Sequence, residues 1–88
     1  MTWRINVHRA AAKQLEAIPP DRRKRILDDV RELAEDPFSG LVKALKGKMN
    51  KGLYRKVSGR YRIIFEPIHK SRTIEVLGVF LRNERTYK

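Results

Sequence analysis

Gly52-Leu53-Tyr54-Arg55-Lys56-Val57-Ser58-Gly59-Arg60-Tyr61-Arg62-Ile63-Ile64-Phe65-Glu66 reads as two β-strands, over 52–57 and 60–66, joined at Ser58-Gly59. That pair suits a tight hairpin because Gly tolerates positive φ. Arg55 and Arg62 then stand on adjacent strands as expected neighbours across the ladder. Downstream, 67–71 is a looser turn. Residues 73–81 (Ile74, Val76, Leu77, Val79, Phe80 and Leu81 among them) form the most apolar strand, which places it centrally. Residues 82–88 are a polar tail.

Upstream, Trp3, Ile5 and Val7 alternate with Thr2, Arg4 and Asn6, the period-2 mark of a half-buried strand. From His8 the period changes. Ala11, Ala12, Leu15 and Ile18 fall on one side of a short helix that ends before Pro19-Pro20. Pro20 and Asp21 suit the first turn of a second helix, where proline's missing donor costs nothing and a carboxylate meets free N–H groups. Ile26, Leu27, Val30, Leu33 and Ala34 mark its buried stripe, and Asp36-Pro37 stops it. Residues 37–51 read as a loop with no period of its own. The order is β-α-α-β-β-β: an α+β fold in which a helical hairpin covers one face of a mainly antiparallel, four-stranded sheet. The 88 residues make a single domain, 1–88.

Charge is lopsided along this frame. Residues 43–88 hold 13 Lys/Arg against Glu66, Glu75 and Glu84, which is +10 of the formal +11, while residues 1–42 hold eight Lys/Arg and seven acids. With the helices on one sheet face, the basic side chains must project from the other face or its rim, and a polyanion is the partner such a surface fits. Lys46 precedes the hairpin, Arg82 closes the last strand and Tyr87 follows it, so Lys46, Arg55, Arg62, Arg82 and Tyr87 are expected to converge near one end of the sheet. Guanidinium forks donate in pairs to phosphate oxygens, and a tyrosine beside them can stack on an unpaired base. The bland alternative is a solvated cationic face with no site.

Several chemistries are excluded. There is no Cys, hence no disulfide, thiolate nucleophile or cysteine metal site, which fits a cytoplasmic protein. Neither a secretion signal nor a membrane span is expected. His8 reads as structural and His69 as an exposed turn residue. Asp28, Asp29, Glu32 and Glu35 read as the wet face of the second helix, paired locally with Arg22, Arg25 and Arg31. Glu66 and Glu75 read as partners for cross-strand charge pairing. No spacing matches a metal site, a phosphate-binding glycine loop or a serine triad, so no cofactor is expected. What remains is chemistry run by cations and a phenol. RNA cut by its own 2′-hydroxyl needs that hydroxyl in line with phosphorus and the extra negative charge stabilised, which arginines can do. A lysine crowded by guanidinium groups has its charged form disfavoured and can act as base; Lys46 and Lys56 are the lysines placed for that.

Leu45-Lys46-Gly47, Leu53-Tyr54-Arg55-Lys56, Gly59-Arg60-Tyr61-Arg62-Ile63-Ile64-Phe65-Glu66 and Arg82-Asn83-Glu84-Arg85-Thr86-Tyr87-Lys88, in this order, resemble the RelE/ParE toxin superfamily. The front half agrees through Ile18-Pro19-Pro20 and Arg25-Ile26-Leu27. The resemblance implies the RelE-like fold and a toxin of a toxin–antitoxin pair. For the RelE branch it implies a metal-independent endoribonuclease that cuts mRNA in the ribosomal A site and stops translation. It implies as partners a cognate antitoxin whose acidic segment wraps the toxin, the ribosome with its mRNA and rRNA, and operator DNA only through the antitoxin. Carried over by position, Arg62 and Arg82 match the phosphate-stabilising arginines, Arg55 the first basic residue of the hairpin strand, Lys46 the basic residue before it, and Tyr87 the base-stacking tyrosine. Where many members carry a second basic residue two places after the first, this chain has Val57. Lys56 replaces it only through a bulge or register shift, since it otherwise faces the other way, so the general base stays open among Lys46, Lys56 and Tyr87. Two other readings stand beside this one: a ParE-like inhibitor of DNA gyrase, and a non-catalytic basic module that docks on rRNA.

Overall fold

Strands from opposite ends of the chain meet at one side of the sheet. In the computed structural model, which describes residues 2–82, β1 (Arg4–Val7) runs parallel to β5 (Thr73–Leu81), with Ile5 beside Ile74 and Val7 beside Val76. Between them come α1 (Arg9–Glu16), α2 (Pro20–Glu35), β2 (Val42–Ala44), a 3-10 turn at Lys48–Asn50, β3 (Tyr54–Ser58) and β4 (Tyr61–Ile68). The sheet order is β1-β5-β4-β3-β2, antiparallel except for the β1–β5 pair. The architecture is the expected α+β fold with both helices on one face. The sheet, however, has five strands where the sequence pattern predicts four. The added strand, β2, lies in the segment read as a loop. Its three residues have no pattern of their own and are ordered by pairing with β3.

The core follows the two periodicities. Ala11, Leu15, Ile26, Val30 and Leu33 from the helices and Ile18 from the turn between them pack on Ile63, Phe65, Ile74, Val76 and Val79 from the sheet. Ala12, expected with the buried stripe, is turned to solvent. Pro20 sits in the first turn of α2 with Asp21, as its N-terminal chemistry favours. Proline is also tolerated at Pro67, within β4 rather than in a turn, because β4 there has run past the end of β3. At the far end of the sheet Tyr54 stacks on Phe65 and meets the edge of Phe38. Exposed His69 lies between Phe38 and Trp3.

Two features of β5 position the site. Val79 lies beyond the last β1–β5 pair, and the Gln14 side-chain carbonyl accepts its N–H at 2.7 Å, so α1 blunts an open sheet edge. The ladder to β4 also slips: Ile64 pairs with Gly78, but Phe65 pairs with Val76, leaving Leu77 as an extra residue. The inward set therefore changes from Ile74 and Val76 to Val79. Beyond the bulge the even-numbered residues face away from the helices.

Candidate functional site

The register of β2, β3 and β4 decides which basic side chains share the uncovered face. Lys43 is directly opposite Arg55, Val57 is directly opposite Arg62, and Arg62 is directly opposite Phe80. Directly opposed residues share a face, so Lys43, Arg55, Val57, Arg62 and Phe80 all look away from the helices. Arg55 and Arg62 are thus diagonal neighbours across the ladder, with Val57 between them. Arg82 joins them because the Leu77 bulge reverses the alternation, and its N–H donates to the Arg60 carbonyl, which ties the end of β5 to the hairpin tip.

The result is an open cavity of 320 Å³ lined by Gly40, Leu41, Val42, Lys43, Arg55, Val57, Arg62 and Arg82. Its floor is apolar at Val57 and its walls are cationic. Two like charges directly opposed, as Lys43 and Arg55 are, weaken a sheet, and a bound anion relieves that repulsion. Beside the cavity Phe80 is 51% exposed. Its ring rests on Gly78, where an added methyl would come within 2.5 Å of a ring carbon. The glycine gives the ring its seat, and the outward side forms a flat apolar platform next to the guanidinium of Arg62.

Of the residues singled out from sequence, the fold brings Arg55, Arg62 and Arg82 to this cavity. Lys46 is exposed in the loop after β2 and does not line it. Lys56 is on the opposite face: it is 3% exposed, and its Nζ lies 3.4 Å from the Ser39 carbonyl and 3.6 Å from Glu32 Oε1. β3 has the plain alternation that separates Lys56 from Arg55, with no bulge there to turn it round. Tyr87 lies outside the described residues. Lys43 and Phe80 carry no sequence signal of their own: Lys43 falls in a segment without periodicity, and Phe80 reads as one more core residue of an apolar strand.

Glu66 and Glu75, both read as partners for cross-strand charge pairing, are directly opposed and of like charge, so they do not serve each other. Glu75 instead accepts from Asn6 Nδ2 at 2.6 Å and lies 2.7 Å from His8 Nε2. These two bonds, Asn6's the stronger influence, hold its carboxyl below the usual carboxylate range. Among the described residues no group of His, Asp and Glu is gathered to hold a metal ion, and no helix is long and apolar enough to cross a membrane.

Residues 5–86 match the family model described as ParE toxin of type II toxin-antitoxin system, parDE. No curated protein sequence matches the chain. Among solved structures, the fold is similar to a chain of the archaeal RelE-RelB complex from Pyrococcus horikoshii OT3, with TM-score 0.79 and 28% identity over 96% of this chain and 99% of that one. It is similar also to a chain of the toxin-antitoxin complex RelBE2 from Mycobacterium tuberculosis, with TM-score 0.83 and 19% identity over 93% of this chain and 100% of that one. The isolated E. coli RelE toxin gives TM-score 0.76 and 20% identity over 96% and 90%.

Proposed function

Because the chain belongs to the ParE toxin family of type II toxin–antitoxin systems, we propose that it is a toxin of the RNA-cutting kind, a cytoplasmic endoribonuclease that acts on mRNA in the ribosomal A site and is held in check by an antitoxin. The observation that carries this reading is the meeting of Arg55, Arg62, Arg82 and Lys43 around one cavity on the uncovered sheet face. The similarity to the Pyrococcus horikoshii RelE-RelB complex supports it.

The reaction that this arrangement suits uses the RNA's own 2′-hydroxyl. The 2′-oxygen attacks phosphorus, the P–O5′ bond breaks, and the products are a 2′,3′-cyclic phosphate and a 5′-hydroxyl end. Arg62 and Arg82 would hold the non-bridging oxygens and stabilise the charge that accumulates on them, and Arg55 would steady the neighbouring backbone. Holding the phosphate rigidly is itself catalytic, since in-line geometry replaces a search through other conformers. Phe80 offers a stacking surface for a base next to the scissile link. Lys43, opposite Arg55, adds its positive charge at the cavity where Lys56 cannot reach from the far face, while solvent takes the 2′-hydroxyl proton and returns one to the departing 5′-oxygen. Because the nucleophile belongs to the RNA, the mechanism calls for no metal or cofactor, and DNA, lacking that hydroxyl, is not a substrate.

The test is Arg62→Ala and Arg82→Ala in cells, with primer extension on translated messages. Each change should abolish growth arrest while the protein still folds, and the unmodified toxin should give new 5′ ends in reading-frame register. A second reading is favoured by the family model itself, which is named for ParE toxins: inhibition of DNA gyrase without nuclease activity. Induced DNA damage with no new message ends would select it.

A further inference from the structure

Of the acids expected to neutralise the arginines of α2, Asp28 keeps a partner on the helix, while Asp29 and Glu32 turn toward β3, Asp29 at the Ser58 edge of a hollow at the hairpin tip. Arg31 pairs with Asp28 at 3.1 Å. Asp29, however, accepts from the hydroxyl of Ser58 on β3, and Glu32 lies toward Lys56. Arg22 and Arg25, three residues apart, share one face of the helix. Among the described residues neither they nor Arg60 makes an ion pair or a side-chain hydrogen bond. All three line a cavity of 140 Å³ with Ser58, Gly59 and Tyr61 at the β3–β4 hairpin tip.

The tip is shaped for this convergence. Gly59 has φ +59° and no side chain, and the guanidinium of Arg25 lies 3.9 Å from where a Cβ would stand. Three cations around one hollow repel each other, and their forked donors match a phosphate's oxygens. The lining contains no aliphatic side chain to seat a peptide's apolar residues, which favours phosphate over an acidic protein segment. Arg60 links this hollow to the first site, because its carbonyl accepts the N–H of Arg82. Val57 and Arg62 of the first cavity alternate along β3 and β4 with Ser58 and Tyr61 of this one, so the two cavities open on opposite faces of the same hairpin end.

From this we infer that Arg22, Arg25 and Arg60 form a second phosphate site, which grips the backbone of an RNA strand a few nucleotides from the link held at Arg55, Arg62 and Arg82. The strand bends round the hairpin tip and is anchored on both faces. This rests on the RNA reading of the first cavity.

The experiment is binding of a fully 2′-O-methylated single-stranded oligoribonucleotide, which cannot be cut, to the full chain by fluorescence anisotropy across ~50 to ~200 mM salt. In the triple variant Arg22→Gln/Arg25→Gln/Arg60→Gln the slope of log K against log[salt] should become shallower by about 0.7 for each phosphate that is no longer neutralised. Lys24→Gln, on the same helix but outside the cavity, should keep the original slope. Circular dichroism establishes that the triple variant is folded, and single Arg→Gln variants replace it if it is not. An unchanged slope and affinity in the folded variants overturns the proposal. So does loss of poly-glutamate binding with RNA binding intact, which makes the cluster a protein-docking surface. So does an effect confined to duplex RNA, which rules out a continuous single strand. Arg62→Ala in the same titration reports on the first cavity separately, so failure of that site and failure of this one give different patterns, and neither readout depends on cleavage.

Discussion

Replacing Lys56 separates a structural cation from a catalytic one. The residue is 3% exposed on the helix face of β3, so its hydrocarbon stem is core. Lys56→Ala removes three buried methylenes, at about 0.8 kcal/mol each, and leaves a void that adds to the loss. We expect destabilisation of about 2–3 kcal/mol. Lys56→Met keeps the length and loses only the ammonium. That group makes two long contacts, 3.4 Å to a carbonyl and 3.6 Å to Glu32. Glu32's side chain is 57% exposed, so solvent screens the pair to below about 1 kcal/mol, and no carboxylate is left stranded in the core when it is broken. Methionine should therefore be within about 1 kcal/mol of the parent. For a domain this size about 1 kcal/mol moves the midpoint of thermal unfolding by roughly 4–8 °C, so alanine should lower it by roughly 10–20 °C and methionine by no more than roughly 4–8 °C. Thermal unfolding followed by circular dichroism gives both values, and growth arrest at a temperature where both variants fold gives the activity. Methionine should leave toxicity intact. A methionine variant with the parent's midpoint and no toxicity would refute the reasoning, since the ammonium would then be needed for something other than the fold.

Lys43→Glu turns the repulsion opposite Arg55 into attraction, so it should raise stability by up to about 1 kcal/mol and weaken toxicity; a urea midpoint that does not rise, or undiminished growth arrest, counts against the site. Gln14→Leu strands the Val79 N–H at the edge of β5 and should cost about 1–3 kcal/mol, with faster hydrogen exchange at that amide; unchanged exchange would show that the Gln14 bond does not protect the edge. Glu75, held below its ordinary range by Asn6 and then His8, is a group whose folded value is depressed. Its contribution is present above the unfolded value and is lost as pH falls through the folded one. Glu75→Gln should therefore flatten the acid side of the stability–pH curve, and identical acid slopes in parent and variant would contradict this.

Much of this was readable in the residues, and the failures share a cause. Helix stripes and strand alternation depend on local periodicity, so α2 and the bounds of β5 follow from the sequence. Lys56 also follows, since a neighbour of Arg55 in a regular strand must face the other way. β2 has no periodicity to read: three residues become a strand only when β3 supplies their hydrogen bonds. Lys43 was hidden with it. The α2 arginines illustrate the opposite failure. Helical spacing offers Arg22 and Arg25 nearby acids, but Ser58 and Lys56, far away in sequence, draw Asp29 and Glu32 toward β3.

The bulge at Leu77 is where core and site make incompatible demands on one strand. Under strict alternation, Ile74 and Val76 facing the core would send Gly78, Phe80 and Arg82 inward as well. A guanidinium would then be pressed toward the helices, and Val79 would be exposed. One extra residue removes the conflict. The first part of β5 follows the core's parity, Val79 returns to the interior at 3% exposure, and Phe80 and Arg82 turn to the open face beside Arg62. The cost falls where it is easily met, because at the slip the strand has already passed the end of β1 and has Gln14 to satisfy its edge. The arginine cluster therefore does not come from the basic residues alone. A single irregularity in the least polar strand brings Arg82 to it.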